Sequence, residues 1–128
     1  MPARIPVEVE RFLVKYITSL EQLEVLLLVS ALPDREWSPD DVYRVVMTTP
    51  PLVSQRLEEF VQAGFLTRRS VESALYRYAP RTEALAHELA NVGAFYKVSR
   101  HKVVEFIYSN KRGPLTEFSE AFRLKRDK

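Results

Sequence analysis

The groups in this chain best suited to recognising a ligand are four arginines and three small polar residues. Arg56 stands in "SQRLEE", Arg68 and Arg69 in "LTRRS" and Arg77 in "LYRYAP"; Thr49, Ser54 and Gln55 come just before Arg56. A guanidinium is a permanent cation whose planar fork of donors matches phosphate or the outer edge of guanine, and a glutamine amide matches adenine. Catalysis has less to build on. His87 and His101 are the only histidines, Gly64, Gly93 and Gly113 are isolated, and no cysteine is present. Disulfides and thiolate metal sites are thereby excluded, and no phosphate-cradling glycine loop, nucleophile elbow or HExxH pattern occurs. The expectation is a binding protein, not an enzyme, with no cofactor and no metal.

Charge placement qualifies that expectation. The formal net charge is only +2. Residues 1–37 carry more acidic than basic side chains, and most of the basic excess lies in residues 111–128. Such a distribution differs from a broad nucleic-acid-binding face. The longest apolar run, around Val25–Val29, is far shorter than the roughly 20 residues a spanning helix needs. "MPARIPVEVE" has no apolar segment of the signal-peptide type, so a cytoplasmic location without membrane attachment is expected. The basic ends "KRGP" and "RLKRDK" read as solubilising caps on a last helix.

The elements that must position these groups follow from spacing. Val9, Phe12, Leu13, Tyr16 and Ile17 predict an amphipathic helix over about 7–18. Ser19 is an N-cap with Gln22 at the capping-box position, and the helix it opens should end near Leu32, before Pro33. Leu20, Leu23, Leu27 and Leu28 nearly encircle it, which predicts burial on several sides. "WSPDD" starts a short helix with Ser38 as cap, turning Val42, Val45 and Val46 inward and stopping near Met47. In "TTPP", Thr49 is held extended by the following proline and caps a new helix whose buried stripe is Val53, Leu57, Phe60 and Val61. Gly64 ends it as a left-handed C-cap. "FLTRRSV" and "LYRYAP" then predict a two-stranded hairpin. From Arg81 to about Ser109 a long helical pattern returns, and Leu115, Phe118 and Phe122 mark a short terminal helix.

This order of helix, helix, turn, helix and hairpin is that of a winged helix-turn-helix domain. "PLVSQRLEEFVQAGFLTRR" resembles the third helix and first wing strand of MarR-like and related bacterial repressors, with Leu57 as the mid-helix anchor and "AGFL" as the ending. "YRYAPRT" resembles the second wing strand and the start of the next helix. The resemblance covers roughly residues 20–82; the tip "SVESAL" lacks the Asp-x-Arg that MarR-like wings usually carry. It implies a mainly α fold with one small hairpin, and a transcriptional regulator that binds double-stranded DNA. Thr49 and the helix N-terminus would then meet a phosphate while Ser54, Gln55 and Arg56 face the bases of the major groove, with Arg68, Arg69 and Arg77 (and Arg81) on the phosphate backbone. The other reading makes these arginines a solvated strand face and Glu58 and Glu59 the outer side of a structural helix. The domain would then bind protein instead of DNA, and an apolar or acidic third-helix face would favour that reading.

Leu85, Leu89, Val92, Tyr96, Ser99, Val103 and Phe106 form a heptad seam on the long helix, as in a coiled coil. A hairpin domain of this size should leave much of such a helix uncovered. The division expected is residues 1–18 as an N-terminal helix, 19–82 as the winged helix-turn-helix and 83–128 as the long and terminal helices. Homodimerisation through Leu85, Leu89, Val92, Tyr96, Val103 and Phe106 is expected, in line with how MarR-like dimers join their terminal helices. The alternative is that the seam packs only on its own domain. No residue identifies a small-molecule effector.

Overall fold

A computed structural model describes residues 4–46, 48–69, 72 and 74–109. Their order is α1 (Val7–Tyr16), α2 (Leu20–Ala31), α3 (Pro39–Val46), α4 (Pro50–Ala63), β1 (Leu66–Arg68), β2 (Tyr76–Tyr78) and α5 (Glu83–Val98). A further helix, α6, occupies residues 100–109. The terminal helix expected around Leu115–Phe122 lies outside the described residues. The protein is thus mainly helical with one two-stranded antiparallel sheet, in which Leu66 faces Tyr78 and Arg68 faces Tyr76. No described helix is long and apolar enough to cross a membrane.

Local signals set most boundaries. Ser19 accepts from the Gln22 amide at 3.1 Å, and the Gln22 side chain accepts from Thr18 N at 2.6 Å, so two otherwise orphaned donors are met at the start of α2. Ser38 and Asp41 make the reciprocal capping pair at α3, at 3.1 and 3.0 Å. The hydrogen bond from the Ser38 amide is the main reason the Asp41 carboxyl is held below the usual carboxylate range. Ser38→Ala is expected to cost about 1 kcal/mol in urea denaturation at neutral pH. Asp41 favours the fold in its ionised form, so its share is present at neutral pH and fades as the pH falls through its depressed pKa. The cost of Asp41→Asn, measured the same way, should therefore shrink in acid; a cost unchanged there would count against this cap.

Gly64 ends α4 at φ 96°, where its amide reaches back to Phe60 and Val61. The space beside it is closed by Arg81, whose side-chain atoms lie 3.2–3.3 Å from where a Cβ would stand. That turn feeds Phe65 into the core, where it meets Phe12, Tyr16 and Phe60 with ring centroids 4.9–6.1 Å apart. One cluster therefore joins α1, α4 and the hairpin. On the far side Trp37 adds a third rung to the sheet, exchanging backbone hydrogen bonds with Tyr76 at 2.7 and 2.8 Å. The Arg35 guanidinium lies 3.8 Å from the centroid of the buried Trp37 ring.

Helix α2 is central. Leu23, Val25, Leu26 and Val29 are fully buried, as an apolar surface on nearly all sides demands. Two expectations are corrected. Val45 does not turn inward: it is 57% exposed, because α3 is too short to bury more than the row through Val42. The long helix over 81–109 is not continuous. Ser99 leaves helical geometry at φ −136°, ψ 55°, ends α5 and starts α6 by accepting from Lys102 and Val103. Serine competes locally for backbone groups, which makes it a natural place for the break. The break lets α6 run beside the start of α1, where Phe106 and Lys102 border a recess with Ile5 and Glu10.

Candidate functional site

Helix α4 and the hairpin bring the sequence-predicted contact residues onto neighbouring surfaces, with Arg56, Arg68 and Arg69 held by carboxylates of the same chain. Thr49 holds the N-cap position of α4 in extended geometry and is exposed, yet its hydroxyl makes no capping bond. Ser54 is half-buried; Gln55 is exposed and donates to Glu59 at 3.2 Å.

Arg56 differs most from expectation. It does not project outward toward a ligand: its side chain is only 15% exposed. It donates to Glu21 on α2 at 3.1 Å and to Glu59 one turn along α4 at 3.3 Å. Gln22 also donates to Glu59, at 3.0 Å, so the α2 cap is tied through Gln22 into the same network. Withdrawing Arg56 would leave half-covered carboxylates without a counter-charge, which is costly.

The hairpin arginines are paired too. Arg68 bonds Glu58, which also accepts from the Tyr76 hydroxyl at 2.6 Å. Burial, and then that hydrogen bond, hold the Tyr76 hydroxyl above the ordinary tyrosine range. Arg69 grips both oxygens of Glu36 in the loop before α3, at 3.1 and 3.0 Å. Arg77 is exposed and has no ion pair among the described residues. Arg81 is exposed as well, but its side chain lies against Gly64.

Sequence reasoning missed these partners because Glu21, Gln22 and Glu36 lie far from α4 and the hairpin along the chain. Arg56 and Glu59 are one helical turn apart, a spacing at which side chains on a helix meet. The outcome is a face whose arginines are largely neutralised by carboxylates of the same fold.

The seam residues are placed differently from expectation as well. Leu89, Val92 and Val103 are buried within the single chain, while Leu85, Tyr96 and Phe106 are half-buried against the same core. Helices α1 and α2 supply the cover that a hairpin domain alone would not. At the break, Tyr96 donates to Glu24 at 3.2 Å and Arg100 donates to Tyr96 at 2.9 Å, which ties the α5–α6 corner to α2. His87 and His101, expected on one helix, sit exposed on α5 and α6. Among the described residues, no group of three His, Asp or Glu side chains is arranged to hold a metal.

A groove of about 840 Å³ lies between α2 and α5, with the small residues Ala86 and Gly93 in its lining. Leu27, Leu28 and Leu89 form part of its apolar lining, and Leu27 lies at ordinary contact distance, 3.5 Å, from where a Cβ on Gly93 would stand.

No family model, curated protein or solved structure matches the chain.

Proposed function

We propose that the protein is a winged-helix interaction module that uses the α4 face and hairpin to bind another protein. The element order, the Trp37 rung on the sheet and the left-handed stop at Gly64 support the winged-helix reading. One observation carries the choice of partner: Arg56, Arg68 and Arg69 each hold a carboxylate from their own fold. Affinity for DNA comes largely from cations that replace condensed counterions on phosphates, and a cation already paired must first give up its partner. A mixed-sign, half-buried polar face suits the rim of a protein interface.

A photo-crosslinking amino acid at exposed Gln55, introduced in the native host, tests this. The expected adduct is degraded by protease and unaffected by nuclease. A nuclease-sensitive adduct would refute the reading.

The exposed Arg77 favours a second reading. In it the chain is a DNA-binding transcriptional regulator acting as a homodimer, with the wing on the phosphate backbone and Thr49 at a phosphate. Arg69, in a half-exposed pair worth little in water, could exchange Glu36 for phosphate. Its dimer would need surfaces other than the buried Leu89–Val92–Val103 row. Titration of the native protein against random duplexes at two salt concentrations separates the readings, since only this one requires tight, salt-sensitive binding.

A further inference from the structure

The α2–α5 groove is apolar and open, and its α5 wall carries charges placed for a symmetric partner. Leu27, Leu28 and Leu89 line it, while Ala90, Ala94 and Lys97 stand exposed along the α5 side. We propose that this groove is an interface between two copies of the chain, in which the two α5 helices lie antiparallel about a two-fold axis at Ala90. The surface is distinct from the row through Val92 and Val103, which is buried within the single chain.

Charge selects the occupant and its direction. At 3.6 residues per turn, Glu83, Ala86, Ala94 and Lys97 all point within about 40° of Ala90, so the five share one face. Glu83 lies in the first turn of α5 and Lys97 in its last. Both are exposed, and neither has an ion pair among the described residues. A two-fold axis at Ala90 sets that residue against its own copy, Ala86 against Ala94 of the second copy, and Glu83 against Lys97 of the second copy. The symmetry repeats each contact, so one opposite-charge pair closes each end of the interface. A parallel pairing would set acid against acid and base against base. The alanines let the helix axes approach to about 8 Å, and at that distance the second helix covers the half-buried Leu27 and Leu28. The pairing rests on α2 and α5 and does not depend on what the α4 face binds.

Because the chain has no cysteine, one introduced thiol reports the axis without background. Ala90→Cys puts each thiol opposite its copy, whereas Val98→Cys leaves the two thiols about 24 Å apart. Both positions are exposed, so neither variant disturbs the core. Under mild oxidation Ala90→Cys should link two chains at least about tenfold faster than Val98→Cys, since pairing raises the effective thiol concentration. Adding Glu83→Lys, or instead Lys97→Glu, makes both charge pairs repulsive and should slow the link about tenfold. Mixing these two charge variants restores opposite charges at both ends of a mixed dimer. The mixture should regain much of the rate, which a folding defect would not allow. Equal rates for Ala90→Cys and Val98→Cys would overturn the proposal, as would a mixture that links no faster than either charge variant alone.

Discussion

Phe65→Ala is expected to remove about 3–5 kcal/mol of stability, the range for truncating a buried aromatic that its surroundings cannot refill. Whole domains of this kind are stable by only about 5–15 kcal/mol, so the variant should be marginal at room temperature. Phe65 is fully buried and touches Phe12 and Tyr16 of α1 and Phe60 of α4, with Tyr16 and Phe60 nearly perpendicular to it. Its backbone amide closes α4 on Phe60, and its carbonyl accepts from Ala79 after β2. Removing the ring therefore opens a void where three elements meet, and none can move in without breaking backbone bonds. Urea denaturation followed by the fluorescence of Trp37, the single tryptophan, measures the loss. Phe65→Leu, which keeps much of the volume, should cost less. A loss under about 1 kcal/mol for Phe65→Ala would mean that the cluster does not hold α1 to the rest.

The second large effect concerns charge. Replacing Glu36, Glu58 and Glu59 together by glutamine should give the protein duplex affinity. At low salt a gain on the order of tenfold to a hundredfold is expected, and the dependence of log K on log salt should steepen by about 2 as Arg68 and Arg69 become free to meet phosphates, while Arg56 stays on Glu21. Glutamine keeps an acceptor oxygen for Gln22, Gln55 and Tyr76, so folding should change little, and the exposed pairs contribute little stability in any case. Fluorescence anisotropy with a random duplex at two salt concentrations reads the result. No gain would show that Arg68 and Arg69 do not share a surface a duplex can reach. Steep salt-dependent binding already present in the native protein would favour the DNA reading.

Most of the local architecture was written in the sequence. The caps at Ser19 and Ser38, the prolines that reset the chain before α4, the stop at Gly64 and the hairpin strands each depend on residues within one or two turns of each other. Their physics is backbone geometry and short-range hydrogen bonding, which neighbouring residue types specify. Thr49 was legible as a boundary but not as a side-chain cap, because a residue can hold the N-cap geometry without turning its hydroxyl inward. The apolar stripe through Leu89, Val92 and Val103 was equally legible as a surface needing burial. Only the tertiary structure decided that α1 and α2 bury it inside one chain, since periodicity says which face is apolar and nothing about what covers it. The same holds for charge. "SQRLEE" and "LTRRS" announce cations, but whether a guanidinium is free depends on carboxylates that folding brings to within about 3 Å. Glu21 and Glu36 come from segments far away along the chain, so their approach to Arg56 and Arg69 was decided only when α2 and the loop before α3 packed against α4 and the hairpin.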